Sequence, residues 1–284
     1  MSEDNFIKFE DGFFVDADYA ESFRKLGLTS IDAVFNFQGD ENLHKSNMAK
    51  HRSRLKFDLA DMGKTLFLKR YNHVPKITQI KNWVSRKNKA STADYDRLPT
   101  QDLEPAGIGT PKTIAYGSQW GSMFEKRSFM FMENVEGGVS LEEKLPEYFY
   151  DAGLPPRHKL RCEFINKLAD FTRRFHDTGY RHRDYYLCHI FLVDEKDLCL
   201  IDMHRSFKPS LSSEKYRLKD ITQLHYSAPG DIISQADRLR FYLRYRGKDK
   251  PDDSDREFLR KVKRKAWRVA VHDIKHGRTV PFAK

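Results

Sequence analysis

The sequence predicts an α+β fold, in which a β-rich first half is followed by a mainly helical second half. In the first half, apolar residues alternate with polar ones in the period of two that strands require, as at residues 54–59. In the second half, apolar residues recur at spacings of three and four from Phe164 to Phe175, forming one stripe of a helix that ends near Gly179. A chain of 284 residues also has room for two lobes, each with its own core.

Five strands are predicted in the first half, after a short helix over residues 16–27 that begins with acids and ends at a glycine. In chain order, the predicted strands cover residues 31–37, 54–59, 65–71, 113–116 and 128–132. Residues 80–103 are compatible with a helix until Pro99 interrupts it. The first half is therefore expected to be an antiparallel sheet with accompanying helices.

The helical half contains one predicted hairpin. Its strands are two short apolar runs, at residues 190–193 and 198–201, separated by the polar residues 194–197. Further helices are predicted over residues 214–227, 233–245 and 257–275. The hairpin therefore lies among helices, with its ends in connecting loops.

Positive charge is concentrated in two zones of the chain. Lysine and arginine total 51 against 41 acids, a formal net charge of +10. Residues 64–93 hold 8 basic residues and no acid, while residues 235–284 hold 16 basic residues and 7 acids. Such zones indicate anionic partners, which can be phosphates, nucleic acid or an acidic membrane surface, or else a solvated basic face.

Cysteine content and hydropathy predict a protein of a reducing compartment. Cys162, Cys188 and Cys199 are too few and too irregularly spaced for a zinc site or a disulfide framework. The first residues are acidic where a signal peptide would be basic, and no apolar run approaches the ~20 residues that span a bilayer. We expect a cytoplasmic protein that at most lies on a membrane.

Two aspartates bracket the predicted hairpin. Asp184 lies in the loop His182-Arg183-Asp184 that precedes the first strand, and Asp202 follows the second strand 18 residues later. A hairpin that presents two carboxylates together can hold a general base and a metal ligand. Phosphoryl transfer requires this pair, together with a cation on the non-transferred phosphates.

The predicted strand at residues 65–71 supplies a candidate cation. Lys69 stands in an otherwise apolar run, where burying it without an anion would be costly. Asp96, in the helix-compatible segment 27 residues later, is a candidate partner.

In its order of residues the chain resembles the protein kinase-like fold: a strand lysine, a helix acid, a His-Arg-Asp loop and a later aspartate. The longer strings Arg181-His-Arg-Asp-Tyr-Tyr-Leu-Cys-His-Ile-Phe-Leu and Ile201-Asp-Met-His-Arg are similar to the lipopolysaccharide kinase (Kdo/WaaP) family, particularly its core heptose kinases. The resemblance implies a two-lobed fold, with an N-terminal lobe over residues 1–134 and a mainly helical C-terminal lobe over residues 135–284. It also implies an ATP- and Mg²⁺-dependent kinase that phosphorylates a heptose hydroxyl of the lipopolysaccharide inner core.

The resemblance assigns the nucleotide-binding residues. Lys69 would contact the α- and β-phosphates of ATP and pair with Asp96. Glu133 and Val135, in the segment that joins the lobes, would offer backbone groups to adenine.

It also assigns the residues of the reaction. Asp184 would be the catalytic base toward the sugar hydroxyl, and Asp202 would bind Mg²⁺. Asp220 would brace the catalytic loop from the following helix. His189 stands where protein kinases place a second metal ligand, an asparagine, although imidazole suits Mg²⁺ poorly.

One part of the kinase pattern is missing. Gly39 stands alone, and no glycine-rich phosphate loop precedes the basic residues 42–53. We expect Lys45, Lys50 or Arg52 to supply charge where backbone amides would otherwise bind phosphate. The alternatives are a kinase for another acceptor, such as Kdo, another glycan, an antibiotic or a protein hydroxyl, and an inactive kinase-like binding module.

The tail indicates a further partner. The predicted helix at residues 257–275 is rich in lysine and arginine, and near a bilayer each such residue contributes about 1 kcal/mol of attraction to acidic lipid. We expect contact with the lipopolysaccharide core glycolipid and peripheral contact with anionic inner-membrane lipids. Nucleic acid is not expected as a partner, because it would leave the aspartates without a role.

Overall fold

A computed structural model describes residues 5–43, 49–149 and 155–281. It divides into two compact units, and the fold is α+β as predicted. The first unit comprises residues 1–104, 110–135 and 202–204, and the second comprises residues 105–109, 136–201 and 205–284. The lobe boundary after residue 134 stays a prediction.

The described residues of the first unit form one antiparallel sheet of seven strands. These are β1 (Phe6–Glu10), β2 (Phe13–Asp16), β3 (Glu41–Asn42), β4 (Arg52–Leu59), β5 (Lys64–Asn72), β6 (Thr113–Trp120) and β7 (Glu125–Glu133). Their order across the sheet is β1-β2-β6-β7-β5-β4-β3. The four predicted strands at residues 54–59, 65–71, 113–116 and 128–132 are confirmed as β4 to β7, whereas β1, β2 and β3 were not predicted.

The two faces of this sheet have different roles. One face packs its apolar side chains, including Phe57, Leu68 and Phe131, into the main core of the unit. The helices α1 (Ala20–Lys25) and α2 (Ile31–Asn36) contribute Phe23 and Val34 to the same core. Because side chains alternate along a strand, the neighbouring positions of β4 and β5 project from the opposite face. That face carries the basic residues of the candidate site.

The predicted strand at residues 31–37 is wrong, because this segment is helix α2. Ser30 caps the helix: its side chain accepts a hydrogen bond from the backbone N–H of Ala33 at 3.1 Å. Ile31 and Val34, three residues apart, are both buried. A short apolar run fits either type of element, and the cap together with the spacing of three decides for the helix.

The predicted interruption at Pro99 is also wrong. Two helices follow β5: α3 (Lys76–Arg86) and α4 (Asp94–Leu103), and α4 continues through Pro99. Proline removes one helical hydrogen bond, and burial of Tyr95, Thr100 and Leu103 on the same helix offsets that cost.

In the second unit, the part of the chain that the structure describes combines a small sheet with five helices. The sheet consists of β8 (Gly138–Ser140), β9 (Ile190–Val193) and β10 (Asp197–Leu200), in the order β10-β9-β8. The helices are α5 (Leu141–Phe149), α6 (Pro155–Asp177), α7 (Ser213–Ser227), α8 (Gln235–Arg246) and α9 (Asp253–Lys275). The predicted hairpin and helices are thus confirmed, with ends shifted by a few residues. No helix in the described part of the chain is long and apolar enough to cross a membrane.

His225 on α7 is a partly buried imidazole next to two cations, Arg238 and Lys263. Nη1 of Arg238 lies 3.2 Å from Nδ1 of His225. Burial, together with the positive charges of Arg238 and Lys263, lowers the pKa of His225 to about 3. The folded protein therefore keeps this imidazole neutral in mildly acidic solution.

We expect His225 to make the protein less stable as the pH falls from 6.5 toward 3. The unfolded chain protonates this histidine near pH 6.5 and the folded chain does so only near pH 3. The stabilisation is complete above pH 6.5, and between these values the free energy of unfolding falls by about 1.4 kcal/mol per pH unit. Urea unfolding at a series of pH values measures this slope. His225→Gln should flatten the slope and the exposed control His272→Gln should not; equal slopes in both variants would contradict the assignment.

Candidate active site

The structure brings Lys69 and Asp96 together as a buried ion pair. Lys69 Nζ, on β5, lies 2.5 Å from Oδ2 of Asp96, on α4. Lys69 is 7% exposed and Asp96 is 1% exposed. Burial lowers the pKa of Lys69, but the carboxylates of Asp96 and Asp202 outweigh it and hold this pKa above its ordinary value. Lys69 therefore stays charged.

Asp202 belongs to the same unit and lies among basic side chains. Its Oδ1 is 3.5 Å from Nζ of Lys69 and 2.9 Å from Nδ1 of His204. Nη2 of Arg54 donates to both carboxylate oxygens, at 3.1 and 3.2 Å. Burial raises the pKa of Asp202, but Lys69, His204 and Arg54 outweigh it and hold this pKa far below its ordinary value. The carboxylate is ionised at every physiological pH.

The backbone at Asp202 takes a conformation that favours glycine. Its φ is 60°, in the left-handed region, and one turn of 3-10 helix over Met203–Arg205 follows. Non-glycine residues in this region are concentrated at functional sites. The turn places the side chain of His204 against the carboxylate of Asp202.

The basic residues predicted to bind phosphate are distributed around this cluster. The guanidinium of Arg52 stacks on the ring of Tyr71, and its Nη1 lies 3.3 Å from Nε2 of His204. Nη2 of Arg52 is buried, and no described residue accepts a hydrogen bond from it. Lys50 is exposed, and Lys45 lies outside the described residues.

Glu133 is the last residue of β7, and Val135 follows that strand. The backbone N–H of Glu133 donates to the carbonyl of Lys112 at 2.9 Å, and its side chain accepts a hydrogen bond from Lys64 at 2.9 Å. Tyr19 also donates to the Glu133 carboxylate. These contacts fix the backbone that was predicted to contact adenine.

The second unit holds Asp184 in a loop before β9. Both carboxylate oxygens accept hydrogen bonds from Nη1 of Arg205, at 2.8 and 2.9 Å. Nε2 of His182 lies 3.0 Å from the carbonyl oxygen of Ile201, which joins the loop to the end of the hairpin. Arg183 has a φ of 69°, a second left-handed residue at the site.

Four side chains of α7 hold the backbone of this loop. Asp220, fully buried, accepts hydrogen bonds from the N–H groups of His182 and Arg183, each at 2.8 Å. Further along the same helix, Gln223 accepts from the N–H of Tyr185 at 3.1 Å and donates to the carbonyl of Arg183 at 2.9 Å. The other two contacts are Lys219 to the carbonyl of Arg183 and the N–H of Leu187 to Ser227. The structure thus places Asp220 against the loop that it was predicted to brace.

His189 is engaged with the same loop. Its Nδ1 lies 2.7 Å from the carbonyl oxygen of Asp184 and donates a hydrogen bond to it. This contact orients the backbone at Asp184 and fixes the tautomer, with Nε2 as the acceptor nitrogen. The role of His189 as a metal ligand stays a prediction.

The donor set of the first unit fits Mg²⁺ bound together with a nucleotide. Mg²⁺ takes oxygen ligands and is commonly held by one or two carboxylates plus substrate phosphates. Within residues 5–43, 49–149 and 155–281, no group of three or more His, Cys, Asp or Glu side chains can hold a metal by itself. Asp202 offers the single carboxylate that such a site requires.

The sheet, the buried lysine and the braced Asp184 loop define a protein of the protein kinase-like class. The model of the lipopolysaccharide kinase (Kdo/WaaP) family matches residues 43–245, and the chain belongs to this family. It is 29% identical over 203 residues to the lipopolysaccharide core heptose(I) kinase WaaP of Escherichia coli K12, covering 69% of this chain and 75% of that protein. It is 26% identical over 234 residues to the protein of the same name from Pseudomonas aeruginosa, covering 79% and 84%.

A solved structure has the same fold. "WaaP in complex with acyl carrier protein" superposes with a TM-score of 0.66 at 24% identity, covering 87% of this chain and 95% of that one. The predicted family and fold class are thereby confirmed.

Two arginines at the site were not predicted from the sequence. Arg54 contacts Asp202, and Arg205 contacts Asp184. A signal for Arg54 was present: it lies two residues after Arg52 in an alternating strand, so both project from one face. Arg205 ends the string Ile201-Asp-Met-His-Arg, but nothing in the spacing indicates its partner.

Proposed function

We propose that this protein transfers the γ-phosphoryl group of ATP to a heptose hydroxyl of the lipopolysaccharide inner core. The observation that carries the proposal is the cluster of Lys69, Asp96 and Asp202, a buried cation fixed by one carboxylate beside a second carboxylate. This arrangement suits the non-transferred phosphates of ATP and a metal ion. The acceptor is proposed from the names of the relatives, which are lipopolysaccharide core heptose(I) kinases.

Each proposed residue has one task in the reaction. Lys69, held by Asp96, donates to the α- and β-phosphates, and the backbones of Glu133 and Val135 contact adenine. Asp184 orients the acceptor hydroxyl and takes its proton. Asp202 would hold Mg²⁺, which would supply positive charge to the phosphates.

Arg205 must release Asp184 before the reaction. In the structure both carboxylate oxygens of Asp184 accept hydrogen bonds from this guanidinium. Arg205 is partly exposed, with 41% of its side chain accessible, so it can rotate toward solvent or toward an anionic acceptor. The base is then available to the hydroxyl.

The experiment that tests the proposal is a transfer assay with defined acceptors. The protein is incubated with γ-labelled ATP, Mg²⁺ and lipopolysaccharide core lacking its heptose phosphate, and the product is examined by phosphorus NMR. We expect a phosphomonoester on a heptose. Binding of ATP without transfer to any core acceptor, or transfer only to another class of hydroxyl, would overturn the assignment.

We also propose that α9 holds the enzyme on the cytoplasmic face of the inner membrane, where ATP and the glycolipid acceptor meet. Val262, Ala266 and Ala270 are buried on one side of α9. On the flank of this buried stripe Trp267 and Ile274 are 57% and 58% exposed. Exposed arginines adjoin them on the helix, at Arg260, Arg264 and Arg268. Tryptophan with surrounding arginine is typical of a helix that lies in the interface of an acidic bilayer.

We expect Arg264→Gln/Arg268→Gln to weaken binding to phosphatidylglycerol-containing vesicles by about thirtyfold at low salt, since each charge contributes about 1 kcal/mol. Trp267→Ser should weaken it further. Vesicle sedimentation measures the effect, with Lys159→Gln, an exposed charge on α6, as control. Equal loss in the control, or no retention of the unmodified protein, would remove this proposal.

A further inference from the structure

We propose that Arg54 binds the phosphates of the nucleotide in place of a glycine-rich loop, and that in the absence of nucleotide it acts as the counter-ion of Asp202. This inference rests on the proposed function and adds a nucleotide-binding residue to it. The sequence lacks the glycines whose backbone amides hold phosphate in protein kinases. A cation at the same place would supply the missing contacts.

The sheet positions Arg54 for this role. Arg54 on β4 is directly opposite Lys69 on β5 in the antiparallel register, so the two side chains project from the same face. Arg52 and Tyr71 form the next pair on that face. Arg54 therefore lies beside the lysine proposed to contact the α- and β-phosphates.

The charges of the cluster balance without a ligand. Lys69 and Arg54 contribute two positive charges, and Asp96 and Asp202 contribute two negative charges, all within one set of contacts. Mg²⁺ bound to Asp202 alone would bring two further positive charges next to the guanidinium. Nucleotide phosphates that arrive with the ion supply the compensating negative charge.

Arg54 needs only a side-chain movement to exchange Asp202 for phosphate as its partner. The contact from Arg54 to Asp202 is made by Nη2 alone, and 30% of the Arg54 side chain is exposed. A guanidinium forms paired hydrogen bonds with phosphate oxygens as readily as with a carboxylate. Arg54 can therefore release Asp202 to the metal and bind phosphate while β4 stays in the sheet.

Two opposite effects of Arg54→Ala distinguish this role from a structural one. Affinity for ATP with Mg²⁺ should fall about tenfold to a hundredfold, the loss of charge-assisted hydrogen bonds. Affinity for Mn²⁺ without nucleotide, measured by electron paramagnetic resonance, should rise severalfold because a competing cation has been removed from Asp202. Binding of adenosine, which has no phosphate, should be unchanged. Arg54→Lys should recover part of the ATP affinity.

The control is Lys56→Ala, which removes a positive charge two residues along the same strand. If the unmodified protein binds neither ATP nor ADP with Mg²⁺, the proposed function fails. If it binds them and Arg54→Ala binds them equally well, the inference about Arg54 fails and the kinase proposal stands. A fall in both ATP and Mn²⁺ affinity would assign Arg54 a purely structural role and overturn the inference.

Discussion

Replacement of Asp184 by asparagine is expected to lower the rate of phosphoryl transfer by about a thousandfold while ATP affinity changes by no more than about twofold. General-base catalysis contributes about 10²- to 10⁴-fold, and an amide cannot accept the hydroxyl proton. The loop keeps its position in this variant, because side chains of α7 hold it through its backbone. Initial rates with labelled ATP and the core acceptor measure the effect. Asp202→Asn should also lose transfer, and the addition of Mg²⁺ should no longer raise its rate.

The control for this variant is Asp197→Asn, an exposed carboxylate on β10. It makes the same chemical change in the same small sheet and should retain full activity. Undiminished transfer by Asp184→Asn would remove this residue from the role of base.

Replacement of Lys69 by methionine is expected to abolish ATP binding and to destabilise the protein by about 3–5 kcal/mol. Removing one partner of a buried pair leaves the other charge uncompensated, here that of Asp96, which is 1% exposed. Methionine is unbranched and nearly as long as lysine, so little packing is lost. Denaturant unfolding measures the stability, and titration with a fluorescent ATP analogue measures binding.

A second variant separates stability from binding. Lys69→Met/Asp96→Leu replaces both charges by apolar groups and should recover most of the lost stability, since a buried pair is often no more stable than apolar residues of similar size. It should not recover ATP binding. Lys126→Met, at an exposed position on β7, is the control. A stable Lys69→Met protein that still binds ATP would contradict the proposed role.

The sequence predicted those parts of the site that depend on local order along the chain. The apolar runs of β9 and β10 predicted a hairpin, and the positions of Asp184 and Asp202 at its ends followed. Lys69 was identified because a lysine in an apolar strand requires an anion. These inferences need only strand alternation and the cost of burying charge.

Other features depend on contacts that spacing does not encode. Helix α2 was predicted as a strand because residues 31–37, five of which are apolar or aromatic, form a short run that fits either type of element. The contact of Arg54 with Asp202 joins residues 148 positions apart. The contact of Arg205 with Asp184 joins residues 21 positions apart, across the whole hairpin.

The brace from α7 has a consequence for the diversification of this enzyme. It holds the loop through main-chain N–H and carbonyl groups at His182, Arg183, Tyr185 and Leu187. These contacts use main-chain atoms, so they do not require particular side chains at these four positions, and Asp184, the proposed base, keeps its place in the loop. A family built in this way can acquire new acceptor sugars by substitution around a fixed base, without first rebuilding the catalytic loop.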